Sequence, residues 1–209
     1  MNNFFANISK RKIAILCYIQ AVIFFANAIL DISTPDYSLA ASVFEGYGWL
    51  SLIINGFFVL LFIIMGHSLS NADAAKSKIS GAALLGCEIF VALVATVTSL
   101  GLMNEAIDND IDSQGLFVVI FIIELIYLLA IIATIFSLTR EEPIDILNYI
   151  ITGSFILYAL LNFVLFFVVI ASGIYFSAAV VLIGECIKAA LSVFIYGSLI
   201  HSRQEDYLI

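Results

Sequence analysis

Charge is what this chain has least of. Only 11% of its 209 residues are Asp, Glu, Lys or Arg, and 63% are hydrophobic. Soluble domains carry about 25% charged and about 45–50% apolar residues. A water-soluble fold of this length has no way to bury so much apolar surface, so the expected solvent is a lipid bilayer. Basic residues are scarcer than acidic ones: 8 Lys and Arg against 16 Asp and Glu, a formal charge of −8. That leaves no basic patch for nucleic acid. The two prolines, Pro35 and Pro143, both fall between apolar runs, so no run is broken by one. The three cysteines, Cys17, Cys87 and Cys186, lie inside apolar runs without CxxC spacing. This argues against a disulfide or zinc framework and for thiols that pack as small hydrophobes. The two histidines, His67 and His201, sit at run ends, and there is no phosphate loop, GxSxG or HExxH. The expectation is a protein that is not an enzyme, with no cofactor and no metal.

What the chain does have is long apolar runs. A membrane helix needs about 20 mainly apolar residues, and six segments qualify: 13–30, 49–69, 80–103, 116–138, 146–171 and 176–200. Each is continuously apolar rather than alternating, which favours helices over barrel strands. Lys10, Arg11 and Lys12 precede the first run. Lys76 and Lys78 separate the second and third, Arg140 the fourth and fifth, and Arg203 follows the sixth. The remaining connections, 31–48, 104–115 and 172–175, hold no Lys or Arg. Basic residues favour the cytoplasmic side. The alternation therefore predicts an all-α six-helix transmembrane bundle, one integral membrane domain over 1–209, with both termini cytoplasmic. The membrane expected is the plasma membrane.

Smaller signals fit this frame. The basic start and Ala26-Asn27-Ala28 also match a signal peptide, but the expectation is a retained first span. Asn7-Ile8-Ser9 is a glycosylation sequon on the wrong side. Tyr37, Tyr47 and Trp49 cluster near the outer end of the second span, where aromatic residues anchor at the interface. Asp108, Asp110 and Asp112 have the early spacing of a calcium loop. Ser113, however, replaces the required glycine and Val119 the bidentate glutamate, so this reads as a solvated acidic turn.

A duplication is also suggested. Ile53–Leu61, IINGFFVLL, resembles Ile150–Tyr158, IITGSFILY, and Leu84–Glu88, LLGCE, resembles Leu182–Cys186, LIGEC. The pairs Gly56/Gly86 and Gly153/Gly184 are nearly equally separated. Three spans per unit would make this an inverted 3+3 repeat, an arrangement common in secondary transporters.

The chemistry concentrates in a few charges within the runs. Glu88, Glu124, Glu185 and Lys188 lie near span centres, where a charge costs about 2.5–3.5 kcal/mol on insertion scales. Helical spacing groups Glu185, Lys188, Ala189, Ser192 and Tyr196 on one face of the sixth span. It groups Gly81, Glu88, Ala92, Ala95, Thr96 and Ser99 on one face of the third. Small and polar residues mark helix contacts in membranes, so both faces should look inward. Cys17, Gln20 and Asn27 on the first span and Ser154, Tyr158 and Asn162 on the fifth would join them. The fourth shows only Glu124 and Tyr127, with the rest of its surface expected to meet lipid. Glu185 and Lys188 are one turn apart and could pair, but one lysine cannot neutralise three glutamates. At least one glutamate should then hold a proton or a cation, or meet water.

Two functions follow. The first is a small permease or channel for a proton, cation or small solute, with Glu88, Glu124, Glu185 and Lys188 as the polar path and Asn162 and Gln20 in support. The second is a non-catalytic subunit or scaffold of a larger membrane complex, partnered by another membrane protein or by copies of itself. Discontinuous helices, which mark many transporter sites, are missing. A permease should present Glu88, Glu185 and Lys188 to a water-accessible cavity. A scaffold should seal them and leave lipid-facing grooves.

Overall fold

The computed structural model describes residues 8–33, 48–71, 73–108, 114–140, 144–171 and 176–202. Among these residues are six helices: α1 (Lys10–Ser33), α2 (Gly48–Ser70), α3 (Ala74–Asp108), α4 (Gln114–Thr139), α5 (Asp145–Ala171) and α6 (Phe176–Ser202). No strand occurs among the described residues. Each helix coincides with one apolar run. The largest difference is α3, which begins six residues before the third run. Asp73 explains it: its Oδ1 accepts from the Lys76 amide at 3.1 Å, the geometry of an N-cap, and its carbonyl accepts from Ser77 Oγ at 2.7 Å. Hydropathy cannot see a cap, because the capped turn is polar.

Five of the helices are long and apolar enough to cross a membrane, and the described apolar stretch of the sixth runs over Cys186–Ile200. Within the five windows only 22–44% of residues are buried in the protein. The outward surface is made of large apolar side chains such as Val22, Phe25, Ile63, Phe90, Leu129, Ile146 and Phe163. Exposed to water, a surface of this kind would be one continuous aggregation patch. In lipid it is the expected exterior, and the protein is an integral membrane helical bundle.

The helices form a closed ring in chain order: each packs on the next, and α6 returns to α1. The most extensive packing is within the pairs α1/α2, α3/α4 and α5/α6. Named contacts show how these helices run. Phe24 stacks on Phe58 and Phe62 of α2, and a Cβ on Gly66 would touch Tyr18 and Ala14 at 3.1–3.2 Å. Higher numbers in α1 thus meet lower numbers in α2. The same inversion links α4 to α5, through Ser137–Asn148 and Tyr127–Tyr158. It links α5 to α6 through Asn162–Cys186 and Phe155–Tyr196.

The closing pair behaves likewise. Asn27 lies against Gly184, Phe24 against Lys188, and Cys17 near Tyr196. Because α1 and α6 are antiparallel neighbours, the start of the first helix and the end of the last lie at the same end of the bundle. Lys10, Arg11, Lys12, Lys76 and Arg140 cluster at that end. The four glycines behind the suggested repeat differ in surroundings: a Cβ on Gly56, Gly86 or Gly153 meets nothing within 4 Å, while one on Gly184 would meet Asn27 Oδ1 at 2.5 Å.

Candidate functional site

In a bilayer a polar side chain has no water to fall back on, so where each one finds its hydrogen bond is informative. Most hydroxyls here are satisfied by their own helix. Thr96 donates to Ala92 O, Ser99 to Thr96 O, Thr134 to Ala130 O, Thr152 to Asn148 O and Ser154 to Ile150 O, all within 2.7–3.0 Å. Such back-bonding is a local, sequence-near solution and marks no site. A smaller set bridges helices. Ser137 Oγ bonds Asn148 Oδ1 at 2.6 Å, joining α4 to α5 near their basic end. Cys186 Sγ meets Asn162 O at 3.3 Å, while Asn162 Nδ2 donates to Tyr158 O at 2.9 Å. The third bridge involves a carboxylate: Tyr127 Oη donates to Glu88 Oε2 at 2.8 Å, both residues being buried.

Around that bond the aromatic residues form a wall. Tyr127 stacks on Tyr158 with centroids 4.3 Å apart and meets Phe155 edge-on at 6.1 Å. Phe155 stacks on Tyr196 at 5.2 Å. The wall therefore carries residues of α4, α5 and α6 around a glutamate supplied by α3. Glu88 reaches it because it shares an inward face with Ala92, Thr96 and Ser99, all buried. The Tyr196 phenol lies within electrostatic reach of Glu88 and of Cys17. Its hydroxyl faces Glu88 but forms no well-aligned hydrogen bond with it or with any other protein group. Gln20 is fully buried, and neither its amide oxygen nor its nitrogen has a protein partner; the same holds for Ser198 Oγ.

These groups fall on one line. The α1/α6 register that sets Cys17 near Tyr196, Phe24 against Lys188 and Asn27 against Gly184 places Gln20 at the level of Ser192. On α6, Gly184, Lys188, Ser192 and Tyr196 repeat every four residues, a single stripe one side chain wide. From Gly184 to Tyr196 the stripe rises about 18 Å, against a hydrocarbon core of about 30 Å. Ser192, Tyr196, Gln20 and Asn27 are buried in it. The seam is thus a polar column inside an apolar molecule, and Glu88 meets it at Tyr196.

Of the residues singled out from the sequence, Glu88, Gln20, Lys188 and Asn162 are all on inward faces. Glu88 and Gln20 are 5% and 0% exposed, and Lys188 and Asn162 are half-buried. The Lys188 ammonium lies 5.2 Å from the centroid of the Phe24 ring, a cation–π arrangement. Glu124 is half-buried, one turn before Tyr127. Glu185 lies in α6, but its side chain is outside the described residues, as are the acidic turn at 109–113 and the segment holding Tyr37 and Tyr47. The inward face of α4 is richer than the sequence suggested: besides Tyr127 it buries Thr134 and Ser137. Ser137 and its partner Asn148 were missed because they lie on different runs, near their ends. Only the packing of α4 on α5 makes them a pair.

A second kind of space opens between α2 and α3. It is a groove of about 700 Å³ lined by apolar groups, among them Leu52, Gly56, Phe57, Gly86, Phe90 and Val91. It holds none of the buried polar residues. Among the described residues no group of three or more His, Cys, Asp or Glu is placed to hold a metal ion. The chain was compared with protein-family models, curated proteins and solved structures, and nothing in any of the three matches it.

Proposed function

We propose that this protein is a small permease or channel, in which the α1/α6 column and Glu88 pass a proton, a cation or a small polar solute across the plasma membrane. Both termini are taken to be cytoplasmic, with the bilayer as the constant partner. The observation that carries the proposal is the column itself. Gln20 and Tyr196 are fully buried yet hold hydrogen-bonding atoms that no protein group satisfies. Orphaned polar atoms in a dry interior are destabilising, and a group that serves a passing solute has a reason to keep them. Where Glu88 meets the column it is already bonded to Tyr127, which favours a relay over an open pore. The test is flux in proteoliposomes loaded with a pH-sensitive dye under an imposed potassium diffusion potential, repeated with other monovalent cations. Glu88→Gln and Gln20→Leu should abolish or strongly slow a flux that the unsubstituted protein supports. Equal rates in protein-free vesicles and all variants would refute a transport role.

A second role, a non-catalytic membrane subunit or scaffold, is favoured by one observation: the uncovered apolar groove between α2 and α3. Under that reading Glu88 and Lys188 fix helix registry. Gly56→Leu with Gly86→Leu should then release a partner that co-purifies in native lipids while leaving the isolated bundle intact.

A further inference from the structure

We propose that Glu88 is a proton-binding site, with Tyr127 positioning its carboxylate and Gln20 and Tyr196 forming the hydrogen-bonding approach by which water delivers the proton. This names the substrate of the transport reading and rests on it for physiological meaning, although proton binding itself can be measured without flux.

Three observations converge. Glu88 is buried at the meeting point of α3, α4 and α6, and one oxygen, Oε2, already accepts from Tyr127 at 2.8 Å. That bond holds the carboxyl group in one orientation in both protonation states. Tyr196 faces the carboxylate with an unpartnered hydroxyl, and Gln20, about one turn along the same seam, offers an unpartnered donor and acceptor. A bridging water needs two to four polar partners, and this set supplies them. Finally, the wall of Tyr127, Phe155, Tyr158 and Tyr196 leaves no room among its stacked rings for a sizeable solute. A proton needs none.

The groups that would influence titration come from every neighbouring helix. Cys17 faces the cluster from α1, and Cys87 adjoins Glu88 on α3 itself. Tyr127, with Glu124 one turn away, comes from α4, Tyr158 from α5, and Tyr196 and the more distant Lys188 from α6. The nearest titratable side chain on α2, His67, is exposed at the basic end. The step is simple in its balance. A hydronium from the aqueous phase gives its proton to the Glu88 carboxylate, forming a neutral carboxylic acid and water. Release to water on the other side regenerates the carboxylate. No electrons move, and the Tyr127 proton stays on its oxygen.

The experiment is infrared difference spectroscopy of the full chain in lipid, titrated with pH in H2O and D2O, with proton flux measured on the same vesicles. The expected result is a carboxylic-acid C=O band that grows as pH falls and shifts in D2O. It should disappear in Glu88→Gln and move in frequency in Tyr127→Phe, where the hydrogen bond is lost. Gln20→Leu should keep the band but slow its response to a pH jump. A pH-responsive band that survives unchanged in Glu88→Gln, or no such band in the unsubstituted protein, overturns the proposal. If Glu88→Gln does not fold, an unmoved band in Tyr127→Phe overturns it as well. A Glu88 band without flux refutes the transport role while leaving the proton site standing; flux without the band does the reverse.

Discussion

Two seams of the same ring are built on opposite terms. Between α1 and α6, side chains meet closely and the contacts are polar: Asn27 against Gly184, Lys188 over Phe24, Gln20 level with Ser192. Between α2 and α3 the surface is apolar and open, and a Cβ on Gly56 or Gly86 would touch nothing within 4 Å. The contrast separates two uses of glycine in membranes. At Gly184 the missing side chain lets a neighbour approach, as small residues do at helix interfaces. At Gly56 and Gly86 it shapes a space the protein does not itself fill. It also separates two ways of leaving chemistry incomplete. The α1/α6 column has hydrogen-bonding atoms without protein partners, whereas the α2/α3 groove lacks only dispersion contacts.

The broadest way to break this comparison is topological, because a polar α1/α6 seam exists only if the six helices alternate in direction. Single cysteines at Lys12, Asn71 and Arg140, with Cys17, Cys87 and Cys186 replaced by Ala, should react with an impermeant maleimide from one side only. A cysteine at Glu105 should react from the other. Next in size is Gly184→Leu, which forces a branched side chain into Asn27. Overpacking of this kind costs about 1–3 kcal/mol, seen as a lowered thermal midpoint in detergent. Tyr127→Phe removes a hydrogen bond to a buried carboxylate and should lower stability by about 1.5–3 kcal/mol in the same assay.

Gln20→Leu should act in the opposite sense. An amide with no protein partner is replaced by an apolar side chain of similar size, so the bundle should become more stable by about 1 kcal/mol while losing its flux. Stability lost there would show that Gln20 serves the fold rather than a solute. The smallest effect is expected in the groove. Gly56→Ala and Gly86→Ala should change the thermal midpoint little, within about 0.5 kcal/mol, since nothing stands where the methyl groups would go.

Much of this architecture is legible in the sequence because the bilayer imposes one dominant requirement. Runs such as 116–138 have to be helices, and their basic flanks fix the alternation; α4 duly spans Gln114–Thr139. The inward faces are readable for the same reason: Glu88, Ala92, Thr96 and Ser99 repeat at helical spacing and are all buried. What periodicity cannot give is which faces meet. Nothing within either run says that Glu88 meets Tyr127 thirty-nine positions away, or that Lys188 lies over Phe24. Both depend on the order in which helices close the ring. The sequence brought Glu88, Glu124, Glu185 and Lys188 together by depth alone. The packing adds what depth could not give: Glu88 lies against Tyr127 and Lys188 over Phe24, so aromatic residues line the site.

Ring closure by α1 and α6 also has a consequence for how the chain is made. α1 carries Gln20 and Asn27, yet α6, which lies level with both, is made only after the four helices between them. Until α6 is inserted, both amides face lipid or a chaperoning insertase. The nascent protein is therefore vulnerable to quality control until α6 is in place, and a chain truncated after α5 should be degraded rather than accumulate as a five-helix bundle.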